Sequence, residues 1–411
     1  MRIVCSGGRL AAMSPMALLF LTLFNSMLGL SVLFPIVAPL ARELGLSEFQ
    51  VGTFSTAYAL MQFLLAPYWG RLSEVKGRKP ILLTGILGFS ISFFAFALVA
   101  QLGLAGALGT GAVYVLMLAA RLFGGTFSSA TLPTAQAYVA DITGKADRTA
   151  GMAVIGAAFG LGVIFGPAIG AALAGISLLV PVYFSATLAL FNALFVWFKL
   201  PEPARRIHLH KPPRLSFMDP RVLPLLVVGL AVSLSSVAME TTVAFYFQDR
   251  LGLTPAGTAR VVGIALVIYG LVAVFVQGFL IRRFKWPAMG MLKSGIPIAM
   301  LGFLIFVFAT NFSWLTLALV LQGLGQGLAA PAVTAALSLS VGDGLQGAVA
   351  GLNSSAQALG RMLGPLAGTW LYQHVDHTAP YAFSAGLLLV AWIFVLWGRG
   401  ARVRMSNGGR D

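Results

Sequence analysis

Glu240 stands deep in an apolar run, preceded by Ser236 one turn earlier and Ser233 two turns earlier. On a helix these positions share one face, so the three make a polar stripe. A charge among lipid tails is costly and usually kept for function, which turns the stripe toward a cavity. At 1.5 Å per residue from Val222, Glu240 sits about 27 Å along its helix, toward the outer side. A carboxyl group partly withdrawn from water there can take up or release a proton near neutral pH. It can equally act as an ion-pair partner or a gate residue that exchanges no proton. Arg121 and Arg361 are the strongest buried cations in other apolar runs. Asn353, Gln357 and Arg361 follow at i, i+4 and i+8, a second polar face.

Further cavity candidates are Asn25, Ser26, Tyr58, Gln62, Gln136, Ser236, Tyr269, Gln277, Gln322 and Gln326, with Asn353 and Gln357. For any single amide, bonding across helices is the commoner use. The abundant Phe and Met can line an adaptable greasy pocket, though most are expected to face lipid. His374 and His377 flank Asp376, and His208 and His210 lie in a polar loop, so no metal site is expected. No nucleophile–base pair, phosphate-cradling loop or ATP-binding motif is present. An enzyme is not expected, no cofactor is implied, and the drive is left to ion gradients or facilitated diffusion.

The elements that carry these residues follow from composition. Hydrophobic residues make up 58% of the 411 and charged residues 9%, whereas a soluble domain carries about 25% charged residues. Apolar runs of roughly 20 residues match a ~30 Å hydrocarbon layer. Twelve are visible, at 15–40, 48–69, 80–100, 111–140, 148–175, 178–200, 222–247, 255–281, 288–310, 313–339, 347–372 and 379–398. The fold class is therefore an all-α membrane protein with 12 transmembrane helices. The net charge of +15 is topological: 21 of the 27 Lys and Arg fall in the tails and in alternate loops. That bias puts both termini in the cytoplasm and argues against nucleic-acid binding. Cys5 is the only cysteine, so no intramolecular disulfide forms.

The longest polar connection splits the chain into a tail (1–14), a six-helix bundle (15–200), a linker (201–221), a second bundle (222–398) and a tail (399–411). The halves echo each other. Gly125 and Pro133 match Gly323 and Pro331, while Gly166, Pro167 and Gly170 match Gly364, Pro365 and Gly368, every pair 198 residues apart. Two pseudo-symmetric six-helix bundles are expected.

Between the second and third runs lies Gly70-Arg71-Leu72-Ser73-Glu74-Val75-Lys76-Gly77-Arg78-Lys79-Pro80. It resembles the loop 2–3 signature of the major facilitator superfamily, G-x-x-x-D-R-x-G-R-R, with Glu74 in the acidic slot and Val75 replacing a basic residue. A degraded echo runs from Gly278 to Arg283. The fifth run, Gly160 to Gly170, with Gly162, Gly166, Pro167 and Gly170, resembles the motif C of that superfamily's exporters. Arg121 to Thr143 is similar to helix 4 of drug–proton antiporters, tetracycline exporters included. The resemblance implies proton coupling at Arg121, which joins Glu240 and Arg361 as the proton-coupling set. It also implies a conformational latch of Gly70, Glu74, Gly77, Arg78 and Lys79 against the cytoplasmic ends of helices 2 and 11. Tetracycline pumps carry a helix 1 aspartate where this chain has Ser26, which weakens that substrate assignment.

The resemblance thus implies proton-coupled efflux of small hydrophobic compounds by alternating access, by a monomer in a bacterial inner membrane. Its partners are a small-molecule substrate, protons and membrane lipids. The alternatives are a metabolite, sugar or siderophore exporter, a proton symporter of the same fold, and a lipid flippase.

Overall fold

Prolines and glycines decide where the apolar runs become continuous helices and where they break. The computed structural model describes residues 14–143, 148–203, 215–284, 286–342 and 345–407. Cys5, Lys145, His208, His210 and Lys285 lie outside the described residues, as do most of the N-terminal tail and the last residues of the chain.

The first span is α1 (Pro15–Ser31) followed by α2 (Val37–Glu43), and the second and third are α3 (Glu48–Lys76) and α4 (Arg78–Leu104). The fourth is α5 (Thr110–Ser128) with α6 (Thr131–Ile142), and the fifth and sixth are α7 (Arg148–Ala174) and α8 (Val180–Lys199). The seventh is α9 (Leu223–Leu251). The eighth joins α10 (Pro255–Phe275) through a π-helical turn, Val276–Leu280, to α11 (Ile281–Phe284). The ninth to twelfth are α12 (Ala288–Phe308), α13 (Phe312–Leu339), α14 (Gln346–His374) and α15 (Ala379–Asn407). Among the described residues, nine helical stretches are long and apolar enough to cross a membrane by themselves. The first span falls short because it is interrupted, with α1 only 17 residues long.

The interruptions correct the expectation of unbroken first and fourth spans. Pro35 and Pro133 have no N–H to donate, and the helices part at 32–36 and 129–130 beside them. Pro331, the repeat partner of Pro133, stays inside a continuous α13. The seventh span runs on to Leu251, where Gly252 (φ 60°) ends it, so Asp249 belongs to the helix.

Six spans pack on six in the same pattern twice. The first touches the fifth and sixth, and the seventh touches the eleventh and twelfth; the third packs on the fourth and sixth, the ninth on the tenth and twelfth. Between the halves, the second meets the eleventh and the fifth meets the eighth. A half-turn that exchanges the halves maps one seam onto the other.

Small residues set these approaches. A Cβ on Gly162 would lie 2.8 Å from the Phe24 carbonyl, and one on Gly364 would lie 3.0 Å from the Leu234 carbonyl. Glycines four apart thus let the fifth span lie on the first, and the eleventh on the seventh. At the seams, Gly52 meets the Pro365 carbonyl and Gly263 meets that of Pro167. The offset of 198 residues is therefore a packing equivalence. Each prolyl helix crosses a glycine of the opposite bundle.

One end of the molecule carries the basic loops and both described chain ends. It is called the basic end here, and the other the far end.

Candidate functional site

A channel between the bundles can be traced along the eleventh span. Leu363 and Trp370 are exposed on one side of it, toward lipid. Gly347, Ala350, Ser354 and Arg361 are also exposed, on a strip about half a turn of the helix away from those two. Beyond Arg361 the same strip becomes buried at Pro365, Gly368 and Tyr372. The seventh span repeats the pattern. Ser233, Ser236 and Glu240 are partly exposed, and Val243, Ala244 and Phe247 beyond them are buried. A space therefore opens at the basic end and closes just past Glu240 and Arg361. Arg361 has exposed surface although chain surrounds it, as befits the wall of an internal space.

At the closed end of that space, Ser236 Oγ donates to Glu240 Oε1 at 3.1 Å. Tyr269 of the eighth span stands beside Ser236 and Glu240. Arg361 acts on Glu240 through its charge, yet no ion pair forms within 4 Å. The expected stripe is split. Ser233 donates instead to the Gln357 carbonyl at 3.1 Å, a bond that fastens the seventh span to the eleventh.

Arg121 sits elsewhere, 5% exposed in the first bundle. Its guanidinium lies 4.4 Å from the Phe96 ring centroid, 4.8 Å from Phe93 and 5.9 Å from Tyr58. Ring faces stabilise a desolvated cation. Among the described residues no carboxylate pairs with it, and three rings enclose it instead. Tyr58 and Tyr269 are structural equivalents, since their carbonyls meet the repeat partners Gly125 and Gly323. One tyrosine stands by a cation and the other by an acid.

Several cavity candidates serve packing. Asn25 donates to the Leu188 carbonyl at 3.0 Å, and Ser26 to Thr22 of its own helix at 2.9 Å. Gln322 is fully buried and donates to the Ala299 carbonyl at 2.7 Å, so it faces the ninth span and not the cavity. Gln326 reaches the Val232 carbonyl at 3.4 Å, and Asn353 reaches Thr334 Oγ1 at 3.1 Å. Gln62 and Gln357 are partly exposed, and Gln136 and Gln277 are exposed toward the basic end. Gln277 lies in the π-helical turn, which overlaps the degraded echo of the basic loop. Such turns recur at functional sites.

The basic loop itself is tied within its own bundle. Gly77 turns it with φ 104°, a conformation L side chains rarely adopt. The Glu202 carboxylate of the linker accepts from the Arg78 and Lys79 amides at 2.5 and 2.9 Å, capping α4. Arg78 donates to Asp141 at 2.8 Å and to Ser73 at 2.6 Å. Gly70 packs toward Pro133 of the fourth span. Glu74 is exposed, and among the described residues it makes no ion pair.

Sequence reasoning missed the seal at the far end. Arg42 of α2 grips Asp249 with two bonds, at 2.5 and 2.8 Å, and reaches Glu48 at 3.2 Å. Tyr372 donates to Asp249 Oδ2 at 2.5 Å, and His377 stacks on Tyr372 with its Nδ1 3.7 Å from the same carboxylate. The bonds to Asp249 and Glu48 offset the cost of drawing the Arg42 charge partly out of water. Nearby, the Phe49 amide donates to Gln373 at 2.9 Å and Thr56 to the Met362 carbonyl at 2.9 Å. The bonds from Arg42 to Asp249, Phe49 to Gln373 and Thr56 to Met362 cross between the bundles, while Tyr372 and His377 brace Asp249 from within the second. The available signal was Arg42 itself, a lone cation in a loop with Asp249 the acid nearest the facing helix end.

Comparison with known proteins agrees with this geometry. The chain is 26% identical over 391 residues to Multidrug resistance protein 2 of Bacillus subtilis (strain 168), spanning 91% of this chain and 92% of that protein. It is 29% identical over 363 residues to the class C tetracycline resistance protein of Escherichia coli, spanning 84% and 86%. Its fold matches the crystal structure of the human organic anion transporter MFSD10 (TETRAN) with a TM-score of 0.67 at 23% identity, over 92% and 98% of the two chains. The model of the Major Facilitator Superfamily matches residues 19–365 and 289–410. Two equivalent six-helix bundles, a space between them and that match lead to one conclusion: this multi-pass integral membrane protein belongs to the major facilitator superfamily of transporters.

Proposed function

We propose that the chain is a proton-coupled exporter of small hydrophobic compounds, and that it works by rocking its two bundles about the space beside Glu240. The observation that carries the reading is an acid at the closed end of a passage open only to the basic end. Relatives named for multidrug and tetracycline resistance support efflux of foreign compounds. Ser26 leaves the helix 1 acid slot uncharged, so a general hydrophobic cargo fits better than tetracycline. The positive-inside bias makes the basic end cytoplasmic, with both termini there, in a bacterial cytoplasmic membrane. The structure then corresponds to the inward-facing stage, ready to load from the cytoplasm or the inner leaflet.

In this scheme Glu240 holds the proton and Ser236 steadies its carboxylate. Substrate entering from the cytoplasm meets the ionised form, and protonation from outside accompanies release. Arg121 acts as a fixed charge wedged among rings. The far-end seal opens while the basic ends close, and Glu74 with the Arg78–Lys79 pair then meets the eleventh span. The chain works as a monomer, since each bundle finds its partner within the same chain.

The test is a proteoliposome assay of proton movement driven by a panel of hydrophobic compounds. Coupled flux in wild type and its loss in Glu240→Gln are expected. If no compound moves protons and the variant behaves like wild type, the antiport scheme fails.

A further inference from the structure

Glu240 and Arg361 share the closed end of the passage, act on one another by charge, and yet do not pair. The Ser233–Gln357 bond fastens their two helices together about one turn before Arg361, and opposite charges on such facing surfaces normally meet, because an unpaired ion out of water costs more than a paired one. Each instead keeps free bonding capacity. Glu240 receives the Ser236 hydroxyl on Oε1. Arg361 has an exposed side chain on the cavity strip, and its five donors suit a planar carboxylate. Pro365, four residues on, has no N–H to give the Arg361 carbonyl, which leaves a further acceptor at the same level.

Two other charges within the spans are engaged elsewhere. Arg121 is enclosed by rings in the first bundle, and Asp249 is taken up by Arg42 and Tyr372 in the seal. An aromatic ring, Tyr269, stands beside Glu240. Neither a simple cation nor a simple anion suits such a place. A cation at Glu240 is repelled by Arg361, and an anion at Arg361 is repelled by ionised Glu240.

We infer that the preferred cargo is an apolar molecule carrying both an acid and an amine, bound with its carboxylate on Arg361 and its ammonium on Glu240. The inference rests on the export reading above and narrows its substrate class. It also gives that reading a coupling device. Protonation of Glu240 removes the anion that the ammonium needs, so the proton and the cargo's amine compete for one carboxylate.

Three probes with one ring system separate the charges: 4-phenylphenylalanine, 2-(biphenyl-4-yl)ethylamine and 3-(biphenyl-4-yl)propanoic acid. Equilibrium binding is measured on the full-length, detergent-purified chain, with melting curves to exclude unfolded variants. The zwitterion is expected to bind at least about tenfold more tightly than either single-charge probe, the scale of one charge-assisted hydrogen bond. Arg361→Gln is expected to erase its advantage over the amine, and Glu240→Gln its advantage over the acid. Arg361→Lys, which keeps the charge without the fork, is expected to retain part of it. Equal binding of the zwitterion and the amine by wild type overturns the inference, as does a preference that survives both substitutions. Preferences of the expected kind without proton movement in liposomes support the dipolar site and count against the antiport reading alone.

Discussion

The two ends of the bundle hold their charges in opposite ways. At the far end, Arg42 of the first bundle bonds across the gap to Asp249 of the second, which Tyr372 braces from its own side. At the basic end, Arg78, Asp141, Ser73 and Glu202 bond within the first bundle and its linker. Charges that cross the gap tie the bundles into one posture, and charges that stay on one side leave the bundles free to part. The passage accordingly opens at the basic end. The comparison also explains why the same fold needs a different kind of loop at each end. A seal that must break in every cycle relies on a few bonds at its rim, whereas a loop that must keep its shape is cross-linked to its own scaffold.

The difference can be broken most forcefully at Asp249. Asp249→Ala leaves Arg42 and Tyr372 without their acceptor, so the far end should gape. Far-side thiol labelling of a cysteine placed at Thr56, with Cys5 replaced, is expected to rise about tenfold, the effect of ~1.4 kcal/mol. Labelling at the wild-type rate would show that the seal rests on packing alone. Exchanging the charges (Arg42→Asp with Asp249→Arg) should recover part of the closure, and no recovery would deny direct coupling of the pair.

A packing change ranks next. Gly162→Val forces side-chain atoms against the Phe24 carbonyl and Met27, and overpacking of this sort costs ~1–3 kcal/mol. A melting midpoint lowered by several degrees is expected, whereas Gly278→Val, which meets open space, should leave it in place. Equal effects would mean the glycine seam is not what joins the first and fifth spans.

Glu74→Gln should be milder and purely kinetic. Because Glu74 is exposed and unpaired in this posture, ligand binding and melting should match wild type while turnover falls. Wild-type turnover would remove the latch role.

Asp219 should matter least. Bonds from Arg221, whose own side chain is exposed, hold the Asp219 carboxyl down to about 2. A lowered carboxyl favours the folded state above the ordinary carboxylate range and loses that contribution as pH falls toward 2. Water screens an exposed pair of this kind, so Asp219→Asn should leave the melting midpoint at pH 7 nearly unmoved. A large drop would mark the start of the seventh span as an anchor.

Much was legible from the chain alone, for reasons that can be named. Span lengths follow from apolar runs. Gly166, Gly170, Gly364 and Gly368 showed the equivalence of the halves, because close helix approach leaves few alternatives to glycine. Single polar residues were far less legible. Ser233 and Ser236 stand on one stripe, but one ties two helices together while the other serves Glu240. Gln322 and Gln62 read alike in sequence, yet one is fully buried against the ninth span and the other is partly exposed.

By itself, the sequence determined the membrane class, the twelve spans and the twofold repeat, all of which depend on local hydrophobicity and on the spacing of small residues along one helix. Tertiary structure alone decided that Arg121 keeps company with rings, that Arg361 looks toward Glu240 without touching it, and that Arg42 closes on Asp249. Those relations depend on how helices far apart in the chain are rotated against each other, and a period of 3.6 residues cannot say which neighbour a given face will meet.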